Sequence, residues 1–158
     1  MFGFFKTPSF SDSELGEFQR KRKLWRGFIS MRGERVPLAL SGSRGAPDLQ
    51  ALEIARGLSH GYPGWQSQIA QALLEHYEPY ADAVSTGDAD PPEDGMPLLT
   101  VPTDVWAHAT IEFVQVTPLG REFTIEIGYR VGWDEEHTVG ARLRQGRLIE
   151  LNGSVLAP

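Results

Sequence analysis

Between Glu122 and Trp133 the chain alternates apolar and polar residues without a break. Phe123, Ile125, Ile127, Tyr129, Val131 and Trp133 fall on one side, and Glu122, Thr124, Glu126, Gly128, Arg130 and Gly132 on the other. Successive side chains of a strand point to opposite faces, so this segment is a half-buried strand with its apolar face turned to a core. Such alternation belongs to an antiparallel sheet with one solvated face. Val139, Ala141 and Leu143 continue it on a return strand, Gln145-Gly146 is a tight turn, and Arg147 to Asn152 forms a last strand. With Ala109 to Val116 ahead of it, turned at Thr117-Pro118-Leu119-Gly120, the end of the chain reads as a four-strand antiparallel meander.

Matching apolar positions sets a register for the central hairpin. Facing Trp133 with Val139 places Val131 against Ala141 and Tyr129 against Leu143, and a one-residue slip breaks all three matches. Gly132 then opposes Gly140, and Arg130 opposes Arg142 on the outer face. Two arginines directly across a sheet repel unless an anion or carboxylates lie between them. Asp134, Glu136 and Glu126 are near enough to serve, which makes an internal charge lattice the plain alternative to an anion site. The tip left by this register is Asp134-Glu135-Glu136-His137-Thr138. Three successive acids repel one another unless cations offset them. The candidate binding residues are therefore Arg130, Trp133, Asp134, Glu135, Glu136, His137 and Arg142.

The tip has three conceivable uses: a contact for a basic partner, a metal site, or acid–base work with His137. A metal needs three or four ligands. Only Asp134, Glu136, His137 and the remote His108 are on offer, and no paired-histidine spacing exists, so no metal is expected. There is no G-x-S-x-G, no glycine-rich phosphate loop and no kinase signature. Accordingly no catalytic residue and no cofactor is assigned. His60 and His76 are expected as a turn residue and an exposed helical residue.

Earlier in the chain, Leu24 to Met31 and Val36 to Leu40 form a hairpin through Arg32-Gly33-Glu34, with Gly16–Arg20 as a possible third strand. Pro37 cannot donate to a ladder, so its strand is expected either at an edge or with that N–H position facing outward. Residues 1–14 read as an N-terminal arm. Pro47 and Asp48 open a helix with Leu49, Leu52, Ala55 and Leu58 near one face. His60-Gly61-Tyr62-Pro63-Gly64 is expected to end it and start a second, whose stripe is Trp65, Ile69, Leu73, Tyr77 and Tyr80. Pro79 should kink or interrupt that helix near Glu78. Residues 88–97 read as a mobile acidic loop, since the ligand spacing of an EF-hand is absent. After Pro102-Thr103-Asp104 a short helical turn carries Val105 and Trp106. The expected fold is one α+β domain over residues 1–158. In it an antiparallel sheet, built from an N-terminal hairpin and the C-terminal four-strand meander, carries a central pair of helices on one face.

A chain of 158 residues suits a single core. Without a cysteine it has no disulfide, thiolate zinc site or cysteine nucleophile, which fits a reducing cytoplasm. The net charge of −6 argues against nucleic acid. The local basic cluster Arg20-Lys21-Arg22-Lys23 with Arg26 is the exception, and a solvated turn explains it. No stretch approaches the roughly 18 apolar residues of a membrane helix.

The stretch from Gly128 to Ala141, centred on Trp133-Asp134-Glu135-Glu136-His137 and Gly140, resembles the W-D-E-E-H-x-x-G signature of uncharacterised bacterial domain-of-unknown-function proteins. The order of elements is also similar, so the resemblance covers most of residues 12–155, with the short signature its specific part. Some such families look like immunity proteins encoded beside bacterial toxins. The resemblance implies the architecture and carries over no catalytic residue. The expectation is a cytoplasmic binding domain that presents acidic loops to a basic protein partner, with a homo-oligomer as a further possibility. The rival is a small-anion site or enzyme built on Arg130 and Arg142.

Overall fold

A computed structural model describes residues 6–158; of the expected arm, residues 1–5 lie outside the described part. The chain builds one eight-stranded sheet in which neighbours in space are neighbours in sequence. The strands are β1 (Ser9–Asp12), β2 (Gly16–Lys21), β3 (Leu24–Met31), β4 (Glu34–Leu40), β5 (Ala109–Leu119), β6 (Glu122–Val131), β7 (Asp134–Arg144) and β8 (Arg147–Val155). Every pairing is antiparallel except β4 with β5, which run parallel over Leu38–Leu40 against Val114–Val116. The expected hairpin and meander are thus fused into one mixed sheet. Parallel neighbours cannot be joined by a tight turn, so the helices of the crossover lie between β4 and β5 in sequence.

This topology bears on two local expectations. Ser9–Asp12, expected within an arm, pair with β2 as the edge strand β1. The Pro37 strand lies inside the sheet rather than at its edge. Its ladder to β5 begins at Leu38, so no β5 residue pairs with Pro37 itself.

The helices are α1 (Leu49–Arg56) and α2 (Leu58–Ser85). The break between them falls at Gly57, not at His60–Gly64, and α2 runs through both Pro63 and Pro79. A proline in a helix interior costs about 3 kcal/mol. Against that, Leu58, Tyr62, Ile69, Ala70, Leu73, Leu74 and Tyr77 are all buried. Each large apolar side chain among them contributes roughly 1.5–3 kcal/mol, which is enough to carry the helix past both breaks. The expected short helical turn follows as a 3-10 turn at Pro102–Ala107, in which Val105 is buried. No described helix is long and apolar enough to cross a membrane.

The core lies between one sheet face and the helices. Trp25, Leu38, Leu40, Val114, Val116, Ile127, Tyr129, Val139 and Leu143 share one buried cluster with α2 residues such as Ile69 and Leu73. Part of the opposite face is also closed. At Gly128 an added Cβ would run into the Phe113 ring, and at Gly140, its cross-strand partner, it would come 2.7 Å from Val155. The two glycines form a trough that Phe113 and Val155 fill.

Candidate functional site

The β6–β7 turn consists of Gly132 and Trp133, and the ladder behind it corrects the expected register. Val139 pairs with Tyr129 rather than Trp133, and Ala141 pairs with Ile127, a displacement of four residues. The pleat repeats every two residues, so a shift of four still sets apolar against apolar. Gly140 therefore lies across from Gly128, and Arg142 across from Glu126 rather than Arg130. Arg142 donates from Nη2 to Glu126 Oε2 at 2.7 Å and from Nη1 to Thr124 Oγ1 at 2.8 Å. Burial pushes the Glu126 carboxyl up, Arg142 draws it back, and Glu150 adds to the rise. Arg130 sits four residues along β6, about 13 Å away at the rise of a strand. Its nearest carboxylate is Glu112, at 4.0 Å. The two arginines therefore do not face each other across the ladder.

The acidic segment opens β7 and is not the hairpin tip. Val131 pairs with Asp134, and the next pair of the ladder is Tyr129 with Val139, so Glu135–Thr138 bulge out of register. Asp134 is buried, whereas Glu135, Glu136 and His137 are exposed. The Tyr80 hydroxyl donates to Asp134 Oδ2 at 2.8 Å, and the Glu136 N–H donates to Oδ1 at 3.1 Å. His137 Nδ1 lies 2.9 Å from Oδ2. Burial alone would raise the Asp134 carboxyl, but these hydrogen bonds outweigh it and hold the group below its usual value. Tyr80 is pushed up to about 12 by burial and by the Asp134 carboxylate.

Trp133 points inward as expected and donates from Nε1 to His76 Nδ1 at 3.0 Å. His76 must then be neutral, with its proton on Nε2. Burial lowers its pKa, His137 acts in the same direction, and Asp134 opposes. His76 and Tyr80 stand one turn apart on α2, with ring centroids 5.1 Å apart. His76, expected as an exposed helical residue, is thus half-buried and part of the site. Its spacing of four from Tyr80 is the one sequence signal that could have found it. Together these five side chains fasten the β6–β7 turn to α2.

Outside this cluster, the backbone N–H of Glu93 donates to Glu135 Oε1 at 3.0 Å. The Tyr77 hydroxyl donates to the Pro97 carbonyl at 2.6 Å. The acidic loop is thereby laid against the bulge, and Asp88, Asp90, Glu93, Asp94, Glu135 and Glu136 are all exposed. Between this loop and β6 lies a cleft of about 470 Å³, with Asp94, His108, Thr110, Arg130, Gly132 and Glu135 on its walls. Among the described residues no three carboxylate or imidazole side chains converge as a metal ligand set.

A family model described as a domain of unknown function, DUF6985, matches residues 14–155. The chain belongs to the DUF6985 family. No curated protein and no solved structure matches the chain. The DUF6985 match takes in β2 to β8, both helices and the whole cluster around Asp134. The expected likeness to an uncharacterised domain holds at that level.

Proposed function

We propose that this DUF6985 domain is a cytoplasmic binding domain whose acidic edge docks a basic protein. The observation that carries the reading is the hydrogen bond from the Glu93 N–H to the Glu135 carboxylate. It ties two acidic segments, remote in sequence, into one exposed edge. Such an edge attracts a basic partner over a Debye length and orients its approach. Within it the residues divide their work. Glu135, Glu136, His137 and the loop acids meet the partner, while Trp133 and Asp134 hold the turn in place from inside. In the immunity-like form of this reading the partner is a basic toxin.

Reversing charge at the edge tests it. Asp94→Lys with Glu135→Lys, compared with a control Glu17→Lys on β2, is used as bait for partners at low and high salt. A basic protein held by the wild type and the control, released by salt and lost by the double variant, is the expected result. Capture that survives the double reversal overturns the proposal.

A further inference from the structure

We propose that the cleft between residues 94–97 and β6 is a site for a small zwitterion, a free α-amino acid being the simplest of its class. This goes beyond the acidic edge and does not depend on it, although Asp94 and Glu135 belong to both. The cleft's charges are divided by origin: Asp94 and Glu135 come from the loop and the β7 bulge, whereas the Arg130 guanidinium comes from β6, and the His108 imidazole also lines the cleft. These opposite charges line one cavity and yet do not pair with each other. Among the described residues the only carboxylate within 4.0 Å of Arg130 is that of Glu112, outside the cleft walls. A purely structural lattice would draw such groups together, as it does for Arg142 and Glu126 on the same sheet.

The walls are also built to stay apart. Glu135 is positioned by the Glu93 N–H. The Gly132 N–H is already satisfied by the His108 carbonyl at 2.8 Å, which fixes the floor. Gly132 itself adds no side chain to the space. A ligand ammonium group would lie toward Asp94 and Glu135, and its carboxylate would meet the Arg130 guanidinium, whose fork matches two oxygens. The volume of about 470 Å³ lies within the range of small-molecule sites.

Titration calorimetry of the full chain with each standard amino acid, and with its N-acetyl and amide forms, provides the test. At least one free amino acid should bind more tightly than about 10 mM, with both blocked forms at least tenfold weaker. Arg130→Gln should weaken the free amino acid at least tenfold while leaving capture of a basic protein at the acidic edge intact. The inference is overturned if no free amino acid binds, if the blocked forms bind equally well, or if Arg130→Gln leaves affinity unchanged.

Discussion

Asp134 and Glu135 are adjacent in sequence, yet one is sealed between Tyr80 and His137 while the other stands in solvent, held by the Glu93 N–H. Truncating Asp134 strips the Tyr80 hydroxyl and a backbone N–H of their acceptor. Asp134→Ala should therefore lower stability by roughly 1–3 kcal/mol in urea unfolding, whereas Glu136→Ala should stay within about 0.5 kcal/mol. The same cluster sets a pH dependence. His76 has a folded pKa below its ordinary 6.5, so the unfolded chain takes up the proton first. Its contribution to stability is present above that value and is lost as pH falls through 6.5 toward the folded one. Asp134 acts in the same sense at lower pH, since its depressed carboxyl contributes stability above 3.8 that disappears as pH falls through its folded value. Tyr80 acts at the other end: its contribution is present below 10.0 and fades as pH climbs toward about 12. Thermal midpoints measured from about pH 7 to 5 should fall in the wild type and flatten in His76→Gln, which can still accept from Trp133.

Turns and strand contacts carry the next level. In three tight turns the first residue has positive φ: Arg22, Arg32 and Gln145. Glycine follows in two of them, but Lys23 follows Arg22 and is itself held at φ 68°. A left-handed non-glycine residue costs roughly 1–2 kcal/mol, so Lys23→Gly should raise the unfolding midpoint by an amount equivalent to about 1 kcal/mol. Gly128→Ala should do the opposite, since the new methyl group meets Phe113. A loss of about 1–3 kcal/mol is expected, partly recovered when Phe113→Leu is added, as a double-mutant cycle would read. These elements also show what the sequence could tell. The alternation of β6, the Arg32-Gly33 turn and the inward Trp133 were all legible, because each is set by neighbours along the chain. The β6–β7 register was not, because a displacement of four residues keeps every apolar match. Nor was the reach of α2, because local proline penalties are outweighed by burial against strands far away in sequence. His76 and Tyr80 joined the site for the same reason: they meet Trp133 and Asp134 only once α2 has docked.

At the scale of the whole molecule, charge and topology separate. The acidic edge formed by the 88–94 loop and the β7 bulge lies at one end of the β6–β7 hairpin, and docking of the proposed basic partner there should weaken steeply as salt rises. Surface plasmon resonance of a captured partner across a salt series would show this mainly as a slower association rate. The parallel seam has a different consequence. β1 to β4 and β5 to β8 are each joined by short turns, but Leu38–Leu40 meet Val114–Val116 only after the intervening chain has closed on itself. Closing so long a loop costs entropy before any seam contact rewards it. The two antiparallel halves should therefore organise first and the seam last. Val116→Ala should then speed unfolding severalfold and leave the refolding rate nearly unchanged, so that the strand pairing at the middle of the finished sheet is the last to be made and the first to part.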